Sequence, residues 1–187
     1  MKTALLRSLC FLALLAAIPI QGNAAQLRVK GVVTDLDTRQ PLKGVFVRVY
    51  RNGKVVDQFH TGADGQYNVR LENGGELALR FSMHGRVSKC FSVDTQGPEW
   101  EGDTKVVSVD IEMTLFERVP GVDFSVFDMP MGRARFTPMT GYLKWDKTYE
   151  EWIQPKVAEV MAQVSARKKP ANTMLARRHD GRASQQP

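Results

Sequence analysis

Across residues 27–115, apolar and polar positions alternate in short runs, each bounded by Gly, Asn or Asp. A period of two with frequent turn signals marks half-buried strands rather than helices. The runs fall at 29–34, 45–50, 55–59, 67–71, 77–81, 87–93 and 107–113. In the second, Val45, Val47 and Val49 share one face, while Phe46, Arg48 and Tyr50 share the other. Asn52-Gly53 predicts a tight hairpin, since both residues tolerate positive φ, and Asp64-Gly65 predicts another before Tyr67. Seven antiparallel strands with turns at short intervals fit a mainly β, two-sheet Greek-key sandwich.

After Leu115 the pattern changes. Phe116, Phe124, Phe127, Phe136, Tyr142, Trp145, Tyr149 and Trp152 are eight of the chain's 16 aromatic residues, a density foreign to disordered linkers. Short extended pieces are expected at 122–126 and 130–136. Tyr149, Trp152, Ile153, Val157, Val160, Met161 and Val164 then recur at spacings of three and four, which predicts an amphipathic helix. Pro155 falls within it, as a kink or as the first residue of a separate helix. From Arg167 onward the chain is basic and polar, and disorder is expected.

The N-terminus has the composition of a secretory signal. Lys2 and Arg7 precede an apolar centre at 11–18, Pro19 breaks it, and Gly22-Asn23-Ala24 suits cleavage after Ala24 or Ala25. The apolar run is shorter than the roughly 20 residues that cross a bilayer, which disfavours a membrane anchor. Cys10 lies inside the apolar stretch and not after a small-residue pair, which disfavours a lipoprotein. The expected organisation is a signal peptide at 1–25, a sandwich at 26–117, an aromatic-rich extension with the helix at 118–166, and a basic tail at 167–187. Export places the protein in the periplasm or at the cell surface of a Gram-negative bacterium, with no transmembrane segment after cleavage. Cys90 would then stand alone, without an intrachain disulfide, as an inert structural thiol.

The net charge of +6 is unevenly spread. Lys2 and Arg7 leave with the signal, and 167–187 carries six basic residues against Asp180. The body between them is nearly neutral, so the basic pI belongs to a tail and no nucleic-acid-binding face is expected.

Gly31-Val32-Val33-Thr34, then Gln40-Pro41-Leu42-Lys43-Gly44-Val45-Phe46-Val47, then Thr61-Gly62-Ala63-Asp64-Gly65-Gln66-Tyr67 resembles the carboxypeptidase regulatory-like domain family. That resemblance implies a transthyretin-like (prealbumin-like) sandwich and covers about residues 27–115. Gly85 matches the family's late glycine, whereas Arg86 stands where an aromatic is usual. Such domains accompany peptidases and outer-membrane receptors as stability or interaction units, which implies a partner on a separate chain here. The pieces after Leu115 are similar to extensions found in other small exported bacterial proteins.

Chemistry is sparse in the sequence. His60, His84 and His179 have no metal-ligand spacing and no cysteine pair to join them, so no metal or other cofactor is expected. Asp35-Leu36-Asp37 lacks the ligand run of a calcium loop, and these acids read as surface loop residues. No Gly-x-Ser-x-Gly occurs, and the His, Arg and C-terminal tetrapeptide set of transthyretin-like hydrolases is not matched. The protein is therefore expected not to be an enzyme. Trp100, between Glu99 and Glu101 on a Gly/Pro-containing loop, folds back as a lid or contacts a ligand. With Phe124, Phe127 and Trp145 it makes up the candidate contact set. The expected role is a binding or scaffolding module that docks another cell-envelope protein. A carbohydrate-binding sandwich is the alternative, and a small hydrolase the third reading.

Overall fold

The computed structural model describes residues 26–97 and 106–183. It is a β-sandwich of two mixed sheets with a C-terminal helix. In chain order the strands are β1 (Gln26–Asp35), β2 (Phe46–Arg51), β3 (Lys54–His60), β4 (Gln66–Leu71), β5 (Glu76–Ser82), β6 (Lys89–Asp94), β7 (Val106–Asp110), β8 (Met113–Leu115), β9 (Pro130–Thr137) and β10 (Tyr142–Trp145). A 3-10 turn spans Ser125–Asp128, and helix α1 spans Lys147–Ala183. One sheet has the order β4-β1-β7, with β8 also on β1. The other has the order β10-β9-β6-β5-β2-β3.

Alternation along each strand decides what is buried. Leu27, Val29 and Val33 of β1 and Tyr67, Val69 and Leu71 of β4 face inward from the first sheet. Val47, Val49, Leu77, Leu79, Phe81, Phe91 and Val93 meet them from the second. The predicted hairpin is present, with Asn52 at φ 48° and Gly53 at φ 78°. Asp64 closes the next turn by accepting the Gln66 amide at 3.1 Å.

Among the described residues ten strands stand where seven were expected, for two reasons. The run at 107–113 is interrupted, giving β7 and β8, although both keep the same parallel register on β1. The interruption falls at Ile111, whose carbonyl accepts the Tyr67 hydroxyl at 2.6 Å. The extension, moreover, is not an appendage. Its β9 pairs in parallel with β6, and β10 pairs antiparallel with β9, so both widen the second sheet. The expected all-antiparallel arrangement is thereby corrected to mixed.

A second apolar cluster lies where the 3-10 turn and α1 close over the sandwich. Val87, Phe116, Phe124, Val126, Phe127, Ile153 and Val164 are its buried members. Phe116, Phe124 and Phe127 meet ring to ring at 5.4–6.3 Å. Asp146 caps α1 by accepting the Tyr149 amide at 3.1 Å. The helix runs through Pro155, which lacks the amide that would bond Glu151, and on through the basic stretch where disorder was expected.

Candidate functional site

Strand β10 ends the six-stranded sheet. Among the described residues no strand is hydrogen-bonded to its far side. Its pleat sends Leu143 and Trp145 to the inner face and Tyr142 and Lys144 to the outer one. Leu143 packs on the main core. Trp145 lies over Gly132, where an added Cβ would come within 2.7 Å of the indole. It also meets Phe91 edge-on at 6.4 Å, ending a series of rings that runs from Tyr67 through Phe81 and Phe91. Trp145 is thus anchored from below, yet it stays 39% exposed, beside Tyr142 at 75%. On the first turns of α1, the Tyr149 and Trp152 rings meet at 5.6 Å with their planes tilted by 42°. Arg133 covers Tyr149, and Lys156 covers Trp152.

Beside this rim a cleft of about 870 Å³ opens between the sandwich edge and α1. Phe91, Met113, Phe127, Met131, Trp145 and Ile153 supply much of its apolar wall. Lys89 enters it from the start of β6, on the inward parity shared with Phe91 and Val93. Its ammonium donates to the Thr114 hydroxyl at 3.4 Å and lies 5.0 and 5.7 Å from the Phe116 and Phe127 ring centres. Burial holds this amine down to about 8.

The carboxylates around the cleft are engaged elsewhere. Glu112 accepts the Thr34 hydroxyl and pairs with Arg39. Glu150 accepts the Gln154 amide, and Asp146 caps the helix. Among the described residues, Lys89 makes no ion pair.

The sequence-expected contact residues separate in the structure. Phe124 and Phe127 are 7% and 2% exposed, because they fill the second core, so they do not offer a docking face. Trp145 stands on the rim as described. Trp100 and the signal segment lie outside the described residues. Asp35 is not a surface acid. It is 6% exposed, accepts the Thr38 and Asp37 amides, and pairs with Arg86. Asp37 is exposed and pairs with Lys168 at 2.6 Å. Cys90 is buried against the Asp128 carbonyl, and burial pushes its thiol up. No group of three or more His, Cys, Asp or Glu among the described residues is placed to hold a metal ion. No helix among them is long and apolar enough to cross a membrane.

Lys89 and Tyr142 were not singled out from sequence. For Lys89 a signal existed: 87, 89, 91 and 93 form the inward parity of a strand, and a lysine there breaks an apolar row. Tyr142 had no comparable signal, since only the sheet order shows that its strand is a margin.

No family model matches this sequence, and no curated protein sequence matches it. Among solved structures the chain is similar to catechol 1,2-dioxygenase from Acinetobacter sp. ADP1, at 16% identity over 60% of this chain and 59% of that one, with a TM-score of 0.40. It is similar to the Bacillus anthracis TIE protein at 14% identity over 50% of this chain and 18% of that one, with a TM-score of 0.38. The dioxygenase domain of a dioxygenase carbohydrate-binding protein fusion from Streptomyces sp. SirexAA-E matches at 14% identity, over 52% of this chain and 84% of that one, with a TM-score of 0.35. The chain spans less than two thirds of the first two proteins. At these scores the likenesses carry no functional argument.

Proposed function

We propose that this chain is a non-catalytic, exported binding module of the bacterial cell envelope, which takes an extended segment of a partner protein along β10. The observation that carries the reading is an open strand edge with two exposed aromatics, Tyr142 and Trp145, one on each face. An open edge offers main-chain donors and acceptors to an incoming strand, and flanking side chains supply selectivity. Tryptophan, tyrosine and arginine are the residues that most often anchor interfaces, and Arg133 lines the same surface hollow as Trp145. The other margin of this sheet, β3, fits the role less well. A register shift between Val49 and Tyr50 disturbs its pairing with β2, and Lys54 and Asp57 add charge to it.

The motif order through Gly31, Pro41, Gly44 and Asp64-Gly65 supports placing residues 26–117 with carboxypeptidase regulatory-like domains, which serve larger proteins as interaction units. A glycan reading is favoured by a different observation. On the outer face Arg48 lies 5.3 and 5.9 Å from the Phe46 and Tyr50 ring centres, and Phe46 stacks on His60 at 5.0 Å.

Photo-crosslinking in cells tests the main reading. A benzophenone amino acid at Tyr142 should yield a discrete protein adduct that the same probe at Lys54 does not. Trp145→Ala should cut the adduct by about tenfold, the size of an interface anchor. Matching adducts at both positions, or none at Tyr142, would overturn the reading, and glycan array binding lost in Tyr50→Ala would favour the alternative.

A further inference from the structure

We propose that the cleft between the sandwich edge and α1 binds an amphipathic anion, an apolar chain ending in one carboxylate or phosphate, with that head on Lys89 and the chain against Phe91, Met113, Met131 and Trp145. The proposal goes beyond the β10 reading and does not rest on it.

Size and lining come first. About 870 Å³ lies within the range of small-molecule sites, which combine a largely apolar wall with a few placed polar groups. Two methionines in the wall suit a flexible chain, because unbranched thioethers adapt to irregular shapes.

Charge selects the class of ligand. Lys89 is half-buried, and an ammonium drawn partly out of water is costly unless it is paired. Among the described residues, Lys89 has only the Thr114 hydroxyl and two ring faces, and it is held there across the gap between the sheets. The groups facing the cleft do not neutralise it. Glu112, Asp146 and Glu150 are committed to other donors, while Arg133 and Lys147 add positive charge at the mouth. An anionic head therefore supplies what the site lacks, and a neutral chain of the same length does not. The amine is held down to about 8 by burial, so it is mostly protonated at neutral pH, and a bound anion would raise it.

Isothermal titration calorimetry on the full chain tests this, with decanoate, decyl phosphate and decanol kept below their aggregation thresholds. Wild type should bind at least one anionic probe ten times or more tighter than decanol, and the tighter head identifies the ligand's source. Lys89→Met should lose that preference, whereas Lys89→Arg should keep it. Affinity for decanoate should fall as pH rises from the titration of the free amine, at about 8, towards that of the bound amine in wild type, and stay flat in Lys89→Met. The proposal is overturned by equal affinity of wild type for decanol and the anions, by unchanged anion binding in Lys89→Met, or by no binding of either anion. Should Lys89→Met fail to fold, the wild-type comparison of anion with alcohol decides. A crosslinking result at β10 bears on neither outcome.

Discussion

Asp35 shows how one carboxylate can tie the sandwich ends together. Its Oδ1 accepts the Thr38 amide at 2.8 Å and the Asp37 amide at 3.0 Å, and its Oδ2 pairs with Arg86. The Thr38 amide is the largest influence holding the group down to about 2, against the opposing effect of burial, and the Arg86 hydrogen bond adds to it. A carboxylate lowered on folding contributes stability that is full above its unfolded value and lost as pH falls through its folded one. Unfolding by urea should therefore show stability declining between about pH 4 and pH 2, and Asp35→Asn should remove most of that slope. At pH 7 the same substitution should cost roughly 2 kcal/mol. A variant with an unchanged acid slope would contradict the assignment. The sequence reads Asp35 as a loop acid and notes Arg86 only as a departure from a usual aromatic. Their pairing was not legible, because it joins residues far apart in the chain across a loop.

Individual strands were legible and their neighbours were not. Period two, Asn52-Gly53 and Asp64-Gly65 mark β1 to β6 because each is a local property of the chain. The parallel pairings β1–β7 and β6–β9 have no local signature, since their strands are joined by long connections. The extended piece expected at 130–136 is β9, but with only Ala134 and Phe136 buried it carries too little pattern to show which strand it joins. Gly31 is the clearest element-scale constraint. Beside it Ile111 turns its carbonyl to Tyr67, and an added Cβ would lie 2.0 Å from that oxygen. Gly31→Ala must therefore push β1 and the β7–β8 link apart, at a cost of ~3 kcal/mol or more. Thermal unfolding should record a marked loss of Tm, and the Tyr67→Phe background should not rescue it, because the clash is with backbone. Unchanged stability would show that the strands stand further apart than described.

At the scale of the whole molecule, the extension after Leu115 completes the sandwich rather than decorating it. Its strands supply the sheet margin, Phe116, Phe124 and Phe127 fill the second core, and its helix roofs the cleft. The aromatic density of residues 116–152 gave notice that this part is ordered. It did not reveal which rings are buried, because ring count carries no direction. That is why Phe124 and Phe127 belong to packing while Trp145 remains on the surface. The central claim is that β10 is a docking edge. Hydrogen–deuterium exchange on the full chain, alone and with the protein captured at Tyr142, tests it most directly. Amides of Tyr142–Trp145 should slow by tenfold or more in the complex, because a paired strand must open before it exchanges. Amides of Lys54–His60 should exchange as before. Protection at β3 with none at β10 would contradict the account.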